Sequence, residues 1–179
     1  MNKKPLLPFA LKSGDTIGVM APSSRVFKDE TESAADKLRA RGFEVYIHPQ
    51  TYAQQNSFAG TGQEKAAAFH ELLQNPDIKA IIFARGGNGS YDMRRYLDFN
   101  IIKNNPKILL GFSDITALLN PIFKETHLIG FHGTVLNTIN RLISKEELEH
   151  TFSLLQGHTN KLELGGGEVL RHTTSPVTG

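Results

Sequence analysis

The chain has 179 residues, of which 39% are hydrophobic and 21% charged, with a net charge of +2 and no cysteine. This is the content of one sizeable globular core. Twenty basic residues against eighteen acidic ones, scattered beyond Lys3-Lys4, make no nucleic-acid surface. The absence of cysteine excludes disulfides, thiolate metal sites and a cysteine nucleophile.

The N-terminal run MNKKPLLPFALKSGD is broken by Pro5 and Pro8 and ended by Lys12, so no signal peptide is expected. No stretch approaches the ~20 apolar residues of a membrane span. A soluble, cytoplasmic protein with no membrane partner is expected. The segment DTIGVMAPSS predicts a strand near 16–20 that ends in a Pro/Ser turn. DETESAADKLRARG predicts a helix with Ala34, Ala35, Leu38 and Ala40 as its apolar positions, stopped at Gly42. FEVYIH alternates as a strand. TGQEKAAAFHELLQNPD predicts a helix that presents Ala67, Phe69, Leu72 and Leu73 and ends before Pro76.

IKAIIFA is a continuous apolar strand of the kind buried on both faces in a parallel sheet. The turn RGGNGS and a short helix over YDMRRYLDF follow it. PKILLGF is a second apolar strand, and a helix begins at Ile115, with Pro121 expected to kink or end it. HLIGFHG predicts a short strand. SKEELEHTFSLLQG predicts an amphipathic helix with a capping box between Ser144 and Glu147. Two weak strand signals surround three glycines in the tail, TNKLELGGGEVLRHTTSPVTG. Alternating strands and helices predict a doubly wound α/β domain with a mostly parallel sheet. Ligands bind such sheets outside the carboxyl ends of the strands. The turns APSS, ARGGNGS, GFSD and FHGT all follow strands, so they should gather along one edge.

Ser113 stands in a strand-to-helix turn, where free N–H groups and the helix dipole favour negative charge. The hydrolase elbow G-x-S-x-G is matched only in part, because Ile115 takes the last glycine position. Two readings stay open on these residues: a nucleophile, or a Ser or Asp cap. Asp114 in particular could cap the helix while its N–H faces the site. Arg85-Gly86-Gly87-Asn88-Gly89 could form an N–H nest for an anion or oxyanion, or a tight turn that needs positive φ. It lacks the G-K-[ST] of a phosphate loop and the G-x-G-x-x-G of a dinucleotide site. His132 could be a general base or a hydrogen-bonded residue at the rim. His70 reads as a partly buried packing residue, and Asp92 and Asp98 as helix-end charges. His48, His127, His150, His158 and His172 lack partners at ligand spacing, so no metal site is expected.

Three blocks carry a family resemblance: GDTIGVMAPSS, FAGTGQEKAAAFHELLQNPDIKAIIFARGGNGSYDMRRYLDF, and PKILLGFSDITALL followed by LIGFHGTV. Together they resemble the N-terminal domain of the LD-carboxypeptidases, cytosolic murein-tetrapeptide carboxypeptidases grouped with the microcin C immunity hydrolases. The resemblance runs over about 13–179. It implies a three-layer, doubly wound, mostly parallel sheet, class I glutamine amidotransferase-like or flavodoxin-like. It also implies a serine hydrolase with a Ser–His–Glu triad whose nucleophile falls on Ser113. The oxyanion hole would use the N–H of Asp114 and of Gly86 or Gly87, with Arg85, Asn88 and His132 in contact with substrate. No metal or cofactor is implied. The implied substrate is a small peptide, a murein tetrapeptide that loses its terminal D-alanine during wall recycling.

Asn88 replaces the tyrosine of the family's R-G-G-Y-G turn, and His132-Gly133-Thr134 replaces its H-G-P. Both changes bear on substrate choice. The family's triad His and Glu belong to a C-terminal domain, expected beyond Gly179. Residues 1–165 are therefore read as the nucleophile-bearing domain and 166–179 as a linker toward that missing domain. A serine without its base is a poor nucleophile, so the chain alone is expected to be essentially inactive. An apolar face left uncovered would favour a homodimer. The alternatives are a microcin C-type peptidyl-nucleotide hydrolase and a non-catalytic ligand-binding α/β module.

Overall fold

A computed structural model describes residues 4–140 and 143–159. Five strands, β1 (Thr16–Met20), β2 (Glu44–Ile47), β3 (Ile78–Phe83), β4 (Ile108–Gly111) and β5 (Phe131–His132), form one sheet in the order β2-β1-β3-β4-β5. Every neighbouring pair is parallel, with Val19 opposite Ile82 and Leu110 opposite Phe131. This is the flavodoxin-like order, in which the chain first winds one way from β1 and then the other. The reversal leaves a crevice between the carboxyl ends of β1 and β3.

Alternation along β3 sorts its side chains to two faces. Ala80 and Ile82 point to a layer with Ala34 and Leu38 of helix α1 (Lys28–Arg39) and Phe152 and Leu155 of α5 (Lys145–Leu155). Ile81 and Phe83 point to the opposite layer. There they meet Phe69 and Leu72 of α2 (Gly62–Gln74), Ile102 of α3 (Phe99–Asn104), and Leu118 and Ile122 of α4 (Thr116–Thr126). Burial on both faces explains why β3 and β4 read as unbroken apolar runs. The three-layer, doubly wound architecture expected from the sequence is the one observed.

Capping boxes start two of the helices. In α2 the Thr61 hydroxyl accepts the Glu64 N–H and the Glu64 carboxylate accepts the Thr61 N–H. Ser144 and Glu147 do the same for α5.

Several expectations need correction. Pro121 neither ends nor shortens α4, which continues to Thr126. The proline removes one ladder bond, while Leu118, Leu119 and Ile122 hold the helix against the sheet. Ala40 and Ala67 are exposed, whereas Ala66 and Ala68 are buried. The segment read as one helix over YDMRRYLDF is a 3-10 turn (Tyr91–Tyr96), and α3 begins anew where Asp98 accepts the N–H groups of Asn100 and Ile101. The helix expected from Ile115 starts at Thr116, after a 3-10 turn (Ser113–Ile115). The tail strands, and the boundary between 165 and 166, lie outside the described residues. Among the described residues no helix is long and apolar enough to cross a membrane.

Candidate active site

The four turns that follow β1, β3, β4 and β5 meet along the carboxyl edge of the sheet. Ser24, after β1, donates its N–H to the Gly86 carbonyl (3.4 Å), and its hydroxyl accepts the Asn88 N–H (3.3 Å). Ser90 closes the glycine turn after β3. Its N–H donates to the Asp114 carboxylate (2.9 Å) and its hydroxyl to the Asp114 carbonyl (2.7 Å). Gly133, after β5, donates to the Gly111 carbonyl (3.2 Å), and Asn137 donates to the Ala84 carbonyl (3.0 Å). Ser90 is fully buried, so both of its bonds are made away from water, where an unmade bond is costly.

Ser113 has φ +63, one of three non-glycine residues with positive φ among the described residues. The left-handed region costs a residue with a Cβ about 1–2 kcal/mol. Phe112 before it is extended, so the chain turns from strand to helix at Ser113 itself. The side chain is exposed, and among the described residues its hydroxyl holds no hydrogen bond. Neither Ser113 nor Asp114 caps the helix that follows. The Asp114 carboxylate is spent on Ser90 instead, which overturns the capping expectation for it. Strain at a residue with no local use is the pattern found at sites of function.

Glycines bring the neighbouring turn close to Ser113. A Cβ on Gly86 would lie 3.2 Å from the Ser113 Cβ and 3.5 Å from its Oγ. On Gly87, at φ +113, a Cβ would come within 2.1 Å of the Ser24 Oγ. Only glycine fits there. Among the described residues neither Gly86 nor Gly87 donates its N–H to a backbone carbonyl. Free N–H groups beside an exposed hydroxyl are what an oxyanion needs.

The structure thus sets Gly86 against Ser113, next to Asp114, while Gly87 and Asn88 pack on Ser24 of the neighbouring turn. Arg85 is exposed and its guanidinium donates to the Arg25 carbonyl (3.4 Å). His132 is exposed at the end of β5, opposite Gly111, with its ring edge-on to Phe112 at 6.5 Å between centroids. No bond joins it to Ser113 among the described residues. His70 is half-buried in α2, and its Nε2 accepts the Asp98 N–H (3.0 Å). His48 meets Glu71 at 3.0 Å, a carboxylate partner that spacing alone did not suggest. Among the described residues no three His, Asp or Glu side chains gather as a metal site requires.

Three contributors escape the sequence reading: the hydroxyls of Ser24 and Ser90, and Lys65. Lys65 is 1% exposed. Its signal lay in spacing, because Lys65, Phe69 and Leu72 share one helical stripe. Burial lowers its pKa, against the opposing pull of Asp92, Asp114 and Glu64.

A family model, that of the LD-carboxypeptidase N-terminal domain, matches residues 17–133, from β1 through the turn after β5. The chain belongs to the LD-carboxypeptidase family. It is 37% identical over 131 residues to a probable murein peptide carboxypeptidase of Bacillus subtilis, covering 73% of this chain and 41% of that one. It is 38% identical over 139 residues to the microcin C7 self-immunity protein MccF of Escherichia coli, covering 76% of this chain and 40% of that one. The fold also matches a solved structure of MccF in complex with aspartyl sulfamoyl adenosine, with TM-score 0.80 and 33% identity over 84% of this chain and 47% of that one. The chain therefore spans about two fifths of the length of the curated LD-carboxypeptidase relatives it matches.

Proposed function

We propose that this chain is the nucleophile-bearing half of a serine hydrolase of the LD-carboxypeptidase type, acting on the terminal D-alanine of a murein tetrapeptide. The Ser113 Oγ attacks the carbonyl of the bond between the L-centre of the diamino acid and D-alanine. Its proton passes to a base contributed by the part of the family fold that this chain does not span. The carbonyl oxygen becomes an oxyanion that accepts from the N–H of Asp114 and of Gly86 or Gly87. Collapse breaks the C–N bond, and the amine of D-alanine leaves with the proton held by the base. Water then hydrolyses the acyl-enzyme. Arg85, Asn88 and His132, exposed on the turns around Ser113, are assigned to substrate contact.

The observation that carries this reading is the left-handed Ser113, exposed at a strand-to-helix turn with Gly86 against it. The chain alone is expected to release essentially no D-alanine, because among the described residues no base is bonded to the Ser113 hydroxyl. The test joins the chain in frame to the C-terminal half of its Bacillus subtilis relative. That fusion is expected to release D-alanine from a murein tetrapeptide, and turnover by the unfused chain at the fusion's rate would defeat the proposal.

A second reading, hydrolysis of a microcin C-type peptidyl nucleotide, is favoured by the similarity to MccF in complex with aspartyl sulfamoyl adenosine. Asn88 at the tip of the glycine turn leaves room for it. The ratio of kcat/KM for the tetrapeptide to that for an aminoacyl sulfamoyl adenosine, measured on the same fusion, decides between the two.

A further inference from the structure

Lys65 is a buried cation that the proposed chemistry does not use. It lies in the second turn of α2 with its stem among the apolar side chains of the buried stripe. Its Nζ donates to the Gly89 carbonyl (3.2 Å) and stands 5.3 Å from the centre of the Phe58 ring. Gly89 has φ +102, and a Cβ there would sit 2.7 Å from Phe58 Cδ1 and 3.2 Å from the Lys65 Nζ. The glycine lets the turn settle directly onto the ammonium.

The same peptide unit is held from its other end. The carbonyl of Gly89 and the N–H of Ser90 belong to one planar amide. Lys65 donates to that carbonyl, and the Asp114 carboxylate accepts that N–H at 2.9 Å. An ammonium and a carboxylate thus bracket one amide. Each polarises it in the sense that strengthens the other bond. The glycine turn after β3 is gripped between α2 and the residue that follows Ser113. The bracket also bears on charge. A lone carboxylate at Asp114, next to where an oxyanion would form, would oppose that anion, and a cation on the far side of the amide offsets it.

We propose that Lys65 is a positioning residue: with Asp114 it clamps the Gly89–Ser90 peptide and so sets the N–H groups of Gly86 and Gly87 against Ser113. Its consequence for rate rests on the function proposed above, whereas the clamp itself does not. Lys65→Met keeps the volume and removes both the charge and the bond to the Gly89 carbonyl, and the β3 and β4 amides report whether the core survives the change. Lys65→Arg keeps the charge.

Amide hydrogen exchange of the 179-residue chain reads the clamp directly. In Lys65→Met the protection of Ser90 should fall at least tenfold, with the β3 and β4 amides within twofold of the parent. In Lys65→Arg it should recover. In an Asp114→Ala background, which removes the acceptor of the Ser90 N–H, adding Lys65→Met should change Ser90 protection by less than twofold, because the two act through one amide. Unchanged Ser90 protection in Lys65→Met, equal loss in the core strands, or equal loss in Lys65→Arg would overturn the proposal. In the fusion, Lys65→Met should lower kcat at least tenfold with KM within threefold, and Lys65→Arg should restore it. A parent fusion without turnover would defeat the proposed function, and Ser90 exchange would still decide the clamp.

Discussion

At Ser113 the backbone pays a conformational penalty that its side chain does not recover through any bond within the described fold. Glycine at the same position carries no such penalty. Ser113→Gly is therefore expected to be more stable than Ser113→Ala by about 1 kcal/mol, read from urea midpoints at equal slope. Gly87→Ala should destabilise by about 1–3 kcal/mol, because the new Cβ meets the Ser24 hydroxyl while the backbone stays at positive φ. The turn's own residues left cap and nucleophile open, and the family resemblance favoured the nucleophile. Whether Asp114 caps the helix depended on where its carboxylate points. Its partner, Ser90, lies 24 positions away in the chain. No local pattern encodes such a pairing. Lys65 was legible in principle, as a cation on an apolar stripe.

Among the elements, helix starts with a capping box were the most readable, because a cap is local chemistry. The box at Ser144 and Glu147 is present as read, and its twin at Thr61 and Glu64 follows the same rule. Bonds from the Thr61 N–H and then its hydroxyl hold the Glu64 carboxyl below its usual range. A depressed carboxyl stabilises the fold above its unfolded pKa, and that contribution is lost as pH falls through the folded value. Thr61→Ala should cost about 1 kcal/mol at pH 7 and somewhat less once Glu64 is protonated, because only the hydroxyl's bond to the carboxylate titrates, measured as the shift in urea midpoint. Element ends were less legible. Pro121 looked like a stop, but burial of Leu118 and Ile122 outweighs one lost bond. β5 shrinks to Phe131–His132 because the chain leaves the sheet edge at Gly133.

For the molecule as a whole, alternating strands and helices predicted the layers, and the parallel order β2-β1-β3-β4-β5 brought the polar turns to one edge. At the opposite end of the sheet, Lys107 is 8% exposed and donates to the carbonyls of Asn75 and Ile78. Burial, helped by Lys79, pushes its pKa from 10.5 down to about 8. Between those values the unfolded chain binds more protons than the folded one, so this group's contribution to stability rises with pH. The wild type should gain stability relative to Lys107→Met between pH 8 and pH 10, followed by urea unfolding. A flat difference would mean that Lys107 titrates normally.

Across all three scales the fold converges on Ser113, held on a strained turn beside N–H groups unpaired among the described residues and clamped through Asp114 and Ser90. The most direct test of its role is the rate of D-alanine release from a murein tetrapeptide by the fusion, compared with the same fusion carrying Ser113→Ala. Loss of the nucleophile should slow release by at least about a thousandfold. Release within tenfold of the parent would contradict the assignment of Ser113.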